Sequence, residues 1–415
     1  MAQARTDGSA PKWIASWGTA QQLAPSGPPP FARSGPPPAG TASAPRPASP
    51  SPMLPFPPTL SDQTVRMIVR TSVGGGQLRL EFSNASGGPA VTFGSVHAAL
   101  AAADSAIVPQ SDRVVTFSGS KNLTLFPGAR AVSDPIDLAA PALSRIAVSI
   151  HLPQETPVNT AHALGLNPAY IAKGDVTGAG KIEDAQVARS YFWLTGLEVL
   201  SDAPDPGVIV ALGDSITDGY ATTPGAFAAW PDLLAARLQA DPATARWGVV
   251  NAGISGNRIL RAGAGEAAVA RFDEDVLARP GVKWVLLLEG INDINMSIMP
   301  IIPDSEDVTA DQIIAGISQL IDRAHQHGLK IAGGTILPTK GLAFYTEAGE
   351  RMRQDINAWI RTSGRFDAVI DFDAAVRDPS DPSRLRPDFN PGDHVHPNDA
   401  GNRAMVEAIR LELFR

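Results

Sequence analysis

The strongest constraint on the fold is a change of pattern near residue 207. Beyond it, short apolar runs without alternation recur at 208–212 (VIVAL), 247–250 (WGVV), 283–288 (KWVLLL), 330–336 (KIAGGTI) and 367–372 (DAVIDF). A strand facing solvent on one side alternates apolar with polar residues, whereas a strand covered on both faces need not. Helical patterns separate the runs, near 228–239, 265–278, 310–327, 346–361 and 398–414. In the clearest of them Ile313, Ile317, Leu320, Ile321 and Ala324 share one face, Thr309 and Gln312 form a capping-box pair, and Gly328 closes the helix. Strands alternating with helices predict a three-layer α/β domain over 207–415 on a parallel five-stranded sheet. In such sheets ligands bind outside the carboxyl ends of the strands.

Upstream the pattern is β. The stretches 64–73 (TVRMIVRTSV) and 77–85 (QLRLEFSNA) alternate apolar with polar residues and flank Gly74-Gly75-Gly76, as the arms of a hairpin would. Further strand-like stretches follow, with glycine, proline and aspartate between them. Together they predict a β-sandwich, jelly-roll-like, over 62–202. The stretch 201–207 (SDAPDPG) then reads as a linker. Residues 1–61 form a leading segment with a proline-rich insert. Residues 25–58 hold 14 of the 37 prolines, a composition that excludes a helix or a central strand and predicts an extended linker or wrapping loop.

Composition narrows the function. With 44% apolar and 18% charged residues the chain can build a large core. A net charge of −8 without a basic block leaves no electrostatic footprint for nucleic acid. No run of about 18 apolar residues predicts a membrane span. Cysteine is absent, which removes disulfides, thiolate metal sites and cysteine nucleophiles together. Ala2-Gln3-Ala4 looks like the small-residue site where an export signal is cut, which suggests a secreted or periplasmic protein; a plain cytosolic start fits the same residues.

The first apolar run leads straight into Gly213-Asp214-Ser215. These are ordinary turn residues, but they also place a hydroxyl at the lip of a parallel sheet. After the second run comes a polar, glycine-containing loop with Asn251, Gly253, Ser255, Gly256 and Asn257; after the third come Gly290 and Asn292. An asparagine amide is a suitable neutral donor to a developing oxyanion, and equally a helix cap. After the fifth lie Asp393, His394, His396 and Pro397. Two residues between Asp393 and His396 let the carboxylate fold back onto one imidazole nitrogen, leaving the other free to face a serine. His394 is the competing base, without the three-residue spacing from Asp393 or the following proline.

These four blocks, in this order, resemble the SGNH (GDSL) hydrolase superfamily: Gly213-Asp214-Ser215, the Asn251–Gly256 loop, Gly290-x-Asn292-Asp293 and Asp393-x-x-His396-Pro397. The resemblance covers about the last 210 residues and implies a flavodoxin-like sheet with neither metal nor cofactor. It implies Ser215 as nucleophile, His396 as general base and Asp393 as its partner. The implied oxyanion hole is the Ser215 N–H, the Gly256 N–H and the Asn292 side chain, with Gly253 as the second candidate glycine. The segments 13–22 (WIASWGTAQQ) and 62–75 (DQTVRMIVRTSVGG) resemble the N-terminal β-domain of a bacterial, mostly exported subgroup described as acylhydrolases, arylesterases or carbohydrate deacetylases.

The expected activity is hydrolysis of short-chain acyl or aryl esters, acetylated carbohydrate among them, through an acyl-enzyme. The expected partner is therefore a small-molecule or carbohydrate ester. A non-catalytic carbohydrate-binding protein and an acyltransferase are the rival readings. Residues 295–303 (NMSIMPIIP) and 337–345 (LPTKGLAFY) either wall an acyl pocket or pack on neighbouring helices, and 159–175 is long enough to reach over the site.

Overall fold

The computed structural model describes residues 10–23, 56–86, 88–297 and 307–415. Almost all of the proline-rich stretch and residues 298–303 of the 295–303 loop lie outside them.

The upstream domain is a β-sandwich. One antiparallel sheet has six strands in the order Gln186–Ala188, Ala169–Lys173, Gln63–Arg70, Arg145–Leu152, Ser95–Leu100 and Arg113–Val114. The other has four, Lys12–Gly18, Leu194–Ser201, Leu78–Ser83 and Arg130–Val132. Val65, Met67 and Val69 from the first sheet and Leu78, Leu80 and Phe82 from the second are buried in one core, the period-2 alternation expected of inward-facing strand residues.

Two expectations are corrected here. The arms flanking Gly74-Gly75-Gly76 do not form a hairpin: Gln63–Arg70 pairs with Arg145–Leu152, while Leu78–Ser83 pairs with Leu194–Ser201, so the glycines carry the chain from one sheet to the other. Alternation fixes which face of a strand is buried, but not which strand pairs with it. Second, Lys12–Gly18 pairs antiparallel with Leu194–Ser201, so the leading segment supplies a sandwich strand rather than only preceding the domain.

The downstream domain carries five parallel strands, β1 (Gly207–Gly213), β2 (Trp247–Gly253), β3 (Val282–Leu288), β4 (Lys330–Gly334) and β5 (Ala368–Ile370), in the order β2-β1-β3-β4-β5. Its helices are α1 (Ser215–Asp218), α2 (Trp230–Ala240), α3 (Ala268–Phe272), α4 (Ile291–Met296), α5 (Ala310–Gln326), α6 (Glu347–Thr362), α7 (Phe372–Val376) and α8 (Asp399–Glu407). Val208 to Leu212 of β1 are fully buried, each large aliphatic side chain adding roughly 1.5–3 kcal/mol by leaving water. The Thr309–Gln312 capping box forms in full at the start of α5. The chain runs from β1 outward to β2 and returns to the other side of β1 as β3. That reversal opens a crevice at the carboxyl edge between β1 and β3.

Polar contacts tie the two domains. Arg70 Nη2 lies 3.3 Å from Asp232 Oδ1, and the Ser72 hydroxyl accepts from the Val249 N–H at 2.8 Å. Arg279 donates to the carbonyls of Thr195 (3.0 Å) and Thr19 (3.1 Å). Among the described residues no helix is long and apolar enough to cross a membrane.

Candidate active site

The end of β1 is shaped by close packing. A Cβ on Gly213 would collide with the Thr217 hydroxyl and the Leu288 carbonyl of β3, so only glycine lets the strand end where Ser215 can emerge. Asp214 caps α1 by accepting the Ile216 N–H at 2.9 Å. Ser215 is the first residue of α1, where the backbone N–H has no partner within the helix.

The Ser215 hydroxyl lies 2.8 Å from His396 Nε2, and His396 Nδ1 lies 2.8 Å from Asp393 Oδ2. Asp393 Oδ1 accepts the N–H groups of Val395 and His396, each at 3.0 Å, which folds the short loop onto itself. Burial alone would raise the Asp393 carboxyl, but the His396 hydrogen bond and charge and these two N–H groups hold it below the ordinary carboxylate range. After Pro397, Asn398 caps α8 through the N–H groups of Ala400 and Gly401 and so anchors the loop. The Tyr220 ring packs on His396, centroids 4.5 Å apart. The competing histidine, His394, is turned elsewhere: its Nδ1 meets the Asn390 side chain at 2.8 Å.

The two oxyanion candidates from other strands lie in linked loops. Asn292, on α4 beyond β3, donates from Nδ2 to the carbonyl of Asn257 at 2.9 Å, next to Gly256. Gly256 has φ +82° and is the third residue of a turn closed by the Asn257 N–H on the Ile254 carbonyl at 3.0 Å. Gly253 has a different task. Its N–H donates to the Asn251 side chain at 2.9 Å, and a Cβ on it would press against the backbone of Asp218 in α1. The glycine there admits α1 rather than offering a free donor.

Several site-shaping residues were not legible in the sequence. Arg271 is buried and donates to the carbonyls of Gly213 (3.0 Å) and Ala252 (2.7 Å) and to the Asn257 side chain (2.9 Å). One guanidinium thus joins the ends of β1 and β2 to the turn. Three acids lie beneath: burial pushes Asp214 up to about 7, Asp293 up to about 6 and Glu289 up to about 8. Raised pKa values limit the negative charge that gathers in this dry interior, where Arg271 Nη2 lies 3.7 Å from Glu289 Oε2. The 159–175 stretch reaches the downstream domain at the end of α1. His162 meets Asp218 at the end of α1 at 2.9 Å, and the Leu166 carbonyl accepts the Gly225 N–H at 3.0 Å. By contrast Leu337 is buried in the core, so that end of the 337–345 stretch packs inward rather than walling a pocket.

A hydroxyl, an imidazole and a carboxylate in one hydrogen-bonded line allow the imidazole to take the hydroxyl proton while the carboxylate faces the charge that results.

Residues 211–404 match the model of the GDSL-like lipase/acylhydrolase family. Solved structures similar to the chain include an acetylxylan esterase from Geobacillus stearothermophilus, 25% identical over 49% of this chain and 91% of that one, TM-score 0.39. A GDSL-like lipase from Bacteroides thetaiotaomicron VPI-5482 is 19% identical over 51% of this chain and 91% of that one, TM-score 0.37. No curated protein matches the chain. Residues 211–404 therefore form a GDSL-like lipase/acylhydrolase domain, and the protein is an SGNH-type hydrolase of the esterase/acylhydrolase class.

Proposed function

We propose that the protein hydrolyses short-chain acyl or aryl esters, acetylated carbohydrates among them, through an acyl-enzyme on Ser215. The observation that carries this reading is the unbroken hydrogen-bonded line from Ser215 through His396 to Asp393. Ser215 Oγ attacks the ester carbonyl carbon as its proton passes to His396 Nε2. The carbonyl electron pair moves onto oxygen, which sits against the N–H groups of Ser215 and Gly256 and the Asn292 amide. One Nδ2 hydrogen of Asn292 is held by the Asn257 carbonyl, so the other serves the oxyanion. The electron pair then returns, the ester C–O bond breaks, and the leaving alkoxide takes the proton from His396. Water repeats the two steps and frees the acid. A short acyl group is favoured because Ser215 is only 7% exposed, with Tyr220 packed on the neighbouring imidazole.

The test is an ester panel of acetyl, butyryl and octanoyl chromogenic esters plus acetylated xylan, run on the native protein and on Ser215→Ala. The proposal expects acetate esters to be cleaved fastest and Ser215→Ala to be inactive on all of them. Native turnover in Ser215→Ala, or octanoate preferred to acetate, would overturn the corresponding half of the reading.

A further inference from the structure

The turn offering the Gly256 N–H has a soft degree of freedom. Ile254–Asn257 closes on an Asn257 N–H to Ile254 C=O bond, with a positive φ at its third residue, the signature of a type II turn. Type II and type I turns differ mainly by rotation of the central peptide. Here that peptide joins Ser255 to Gly256, and its N–H is the Gly256 donor. A glycine at the third position accepts either form. Left to itself, the turn could therefore aim the N–H toward Ser215 or away from it.

A chain of largely buried groups holds Ser255, the residue that precedes that peptide. Asp218 Oδ2 accepts twice from Ser255, from its N–H at 3.0 Å and its hydroxyl at 2.8 Å. Asp218 Oδ1 in turn meets His162 Nε2 at 2.9 Å, and His162 Nδ1 meets the Ala20 carbonyl at 2.8 Å. Both nitrogens of His162 face acceptors, so an imidazole carrying both hydrogens satisfies both. Burial, the largest influence, opposes charge on that ring, but the Asp218 carboxylate and the Ala20 and Leu164 carbonyls together outweigh it and the pKa is raised. His162 and Ala20 belong to the upstream domain, Asp218 to α1 and Ser255 to the turn. His162 is 2% exposed and Asp218 5%, so water competes little for the bond between them.

We infer that His162 and Asp218 are positioning residues for the reaction: the upstream domain reaches through them to clamp Ser255 and so fixes the direction of the Gly256 N–H. The inference rests on the proposed reading of Ser215 as nucleophile and Gly256 as oxyanion donor. It gives the β-domain a part in turnover that needs no substrate contact. A misdirected donor affects the tetrahedral species far more than the bound ester, so the expected signature is a fall in kcat at nearly constant KM.

The experiment uses the full chain and a chromogenic acetate ester. His162→Gln keeps one donor toward Asp218, and Ser255→Ala removes only the hydroxyl bond at the far end of the chain. For His162→Gln kcat should fall about 10- to 100-fold, below the loss for deleting an oxyanion donor outright, with KM within about threefold. The inhibition constant of a boronic acid, whose adduct with serine is tetrahedral, should rise by a similar factor. Ser255→Ala should show the same split at smaller size, and the double variant should lose less than the product of the two single losses, because both act on one chain. Active-site titration counts competent molecules, so a variant that merely unfolds shows fewer sites with native turnover at each; that result, or native kcat and boronate affinity in Ser255→Ala and His162→Gln, overturns the inference. The Ser215→Ala control separates the failures: if it stays active, the catalytic reading itself has fallen.

Discussion

Replacing Asp393 by alanine removes one acceptor and probes the proposed mechanism at its outer end. Asp393 Oδ2 holds His396 Nδ1 at 2.8 Å, and in the proposed reaction that bond faces an imidazolium only while the proton rests on His396. A hydrogen bond to a charged group contributes about 1.5–3 kcal/mol, which corresponds to a loss of roughly 10- to 150-fold in kcat. Deleting a deeply buried triad carboxylate costs on the order of ten-thousandfold. The Asp393 side chain is 37% exposed, so water can occupy its place beside Nδ1, and the smaller range applies. Steady-state hydrolysis of a chromogenic acetate ester measures the loss. Unchanged kcat would refute the assignment of Asp393 as the partner of His396, and a loss as deep as that of Ser215→Ala would refute the argument from its exposure.

Two further outcomes are expected. Gly253→Ala places a methyl group against the backbone of Asp218, so urea unfolding should show a loss of about 1–3 kcal/mol together with reduced activity; a variant as stable and active as the parent would show that α1 does not need that close approach. The folded-state pKa values of Asp214, Asp293 and Glu289, about 7, 6 and 8, lie above their ordinary values of 3.8, 3.8 and 4.5. Protonated acids thus favour the folded state, and their contribution is present below about pH 4 and lost as pH rises through 6–8. The urea midpoint should therefore be lower at pH 8.5 than at pH 5.5, and Glu289→Gln should flatten part of the slope; a midpoint rising over this interval would contradict the burial argument.

Much of the fold was legible because parallel strands buried on both faces leave an unmistakable run of apolar residues, and because caps such as Thr309–Gln312 are local. The hydrogen-bonded line of Ser215, His396 and Asp393 was legible for a related reason. Each of its segments follows a strand, and strand ends of one sheet share an edge, so Ser215 and the Asp393–His396 pair were bound to the same side. The choice between His396 and His394 already had a local signal in the spacing from Asp393, and the structure adds that His394 Nδ1 is taken by Asn390.

What the sequence alone determined is whatever depends on neighbours along the chain: strand and helix type, caps, and the short Asp393–His396 loop. Tertiary structure decided what depends on neighbours across it. The glycines after Gln63–Arg70 turn into a crossing between sheets because pairing partners are chosen by shared burial, not by adjacency. Arg271 reaches Gly213 across 58 residues, and His162 reaches Asp218 across 56. Such contacts carry no periodicity and no spacing rule. They exist because a buried polar group must find a partner within hydrogen-bond reach, and only the packed molecule says which groups are buried together.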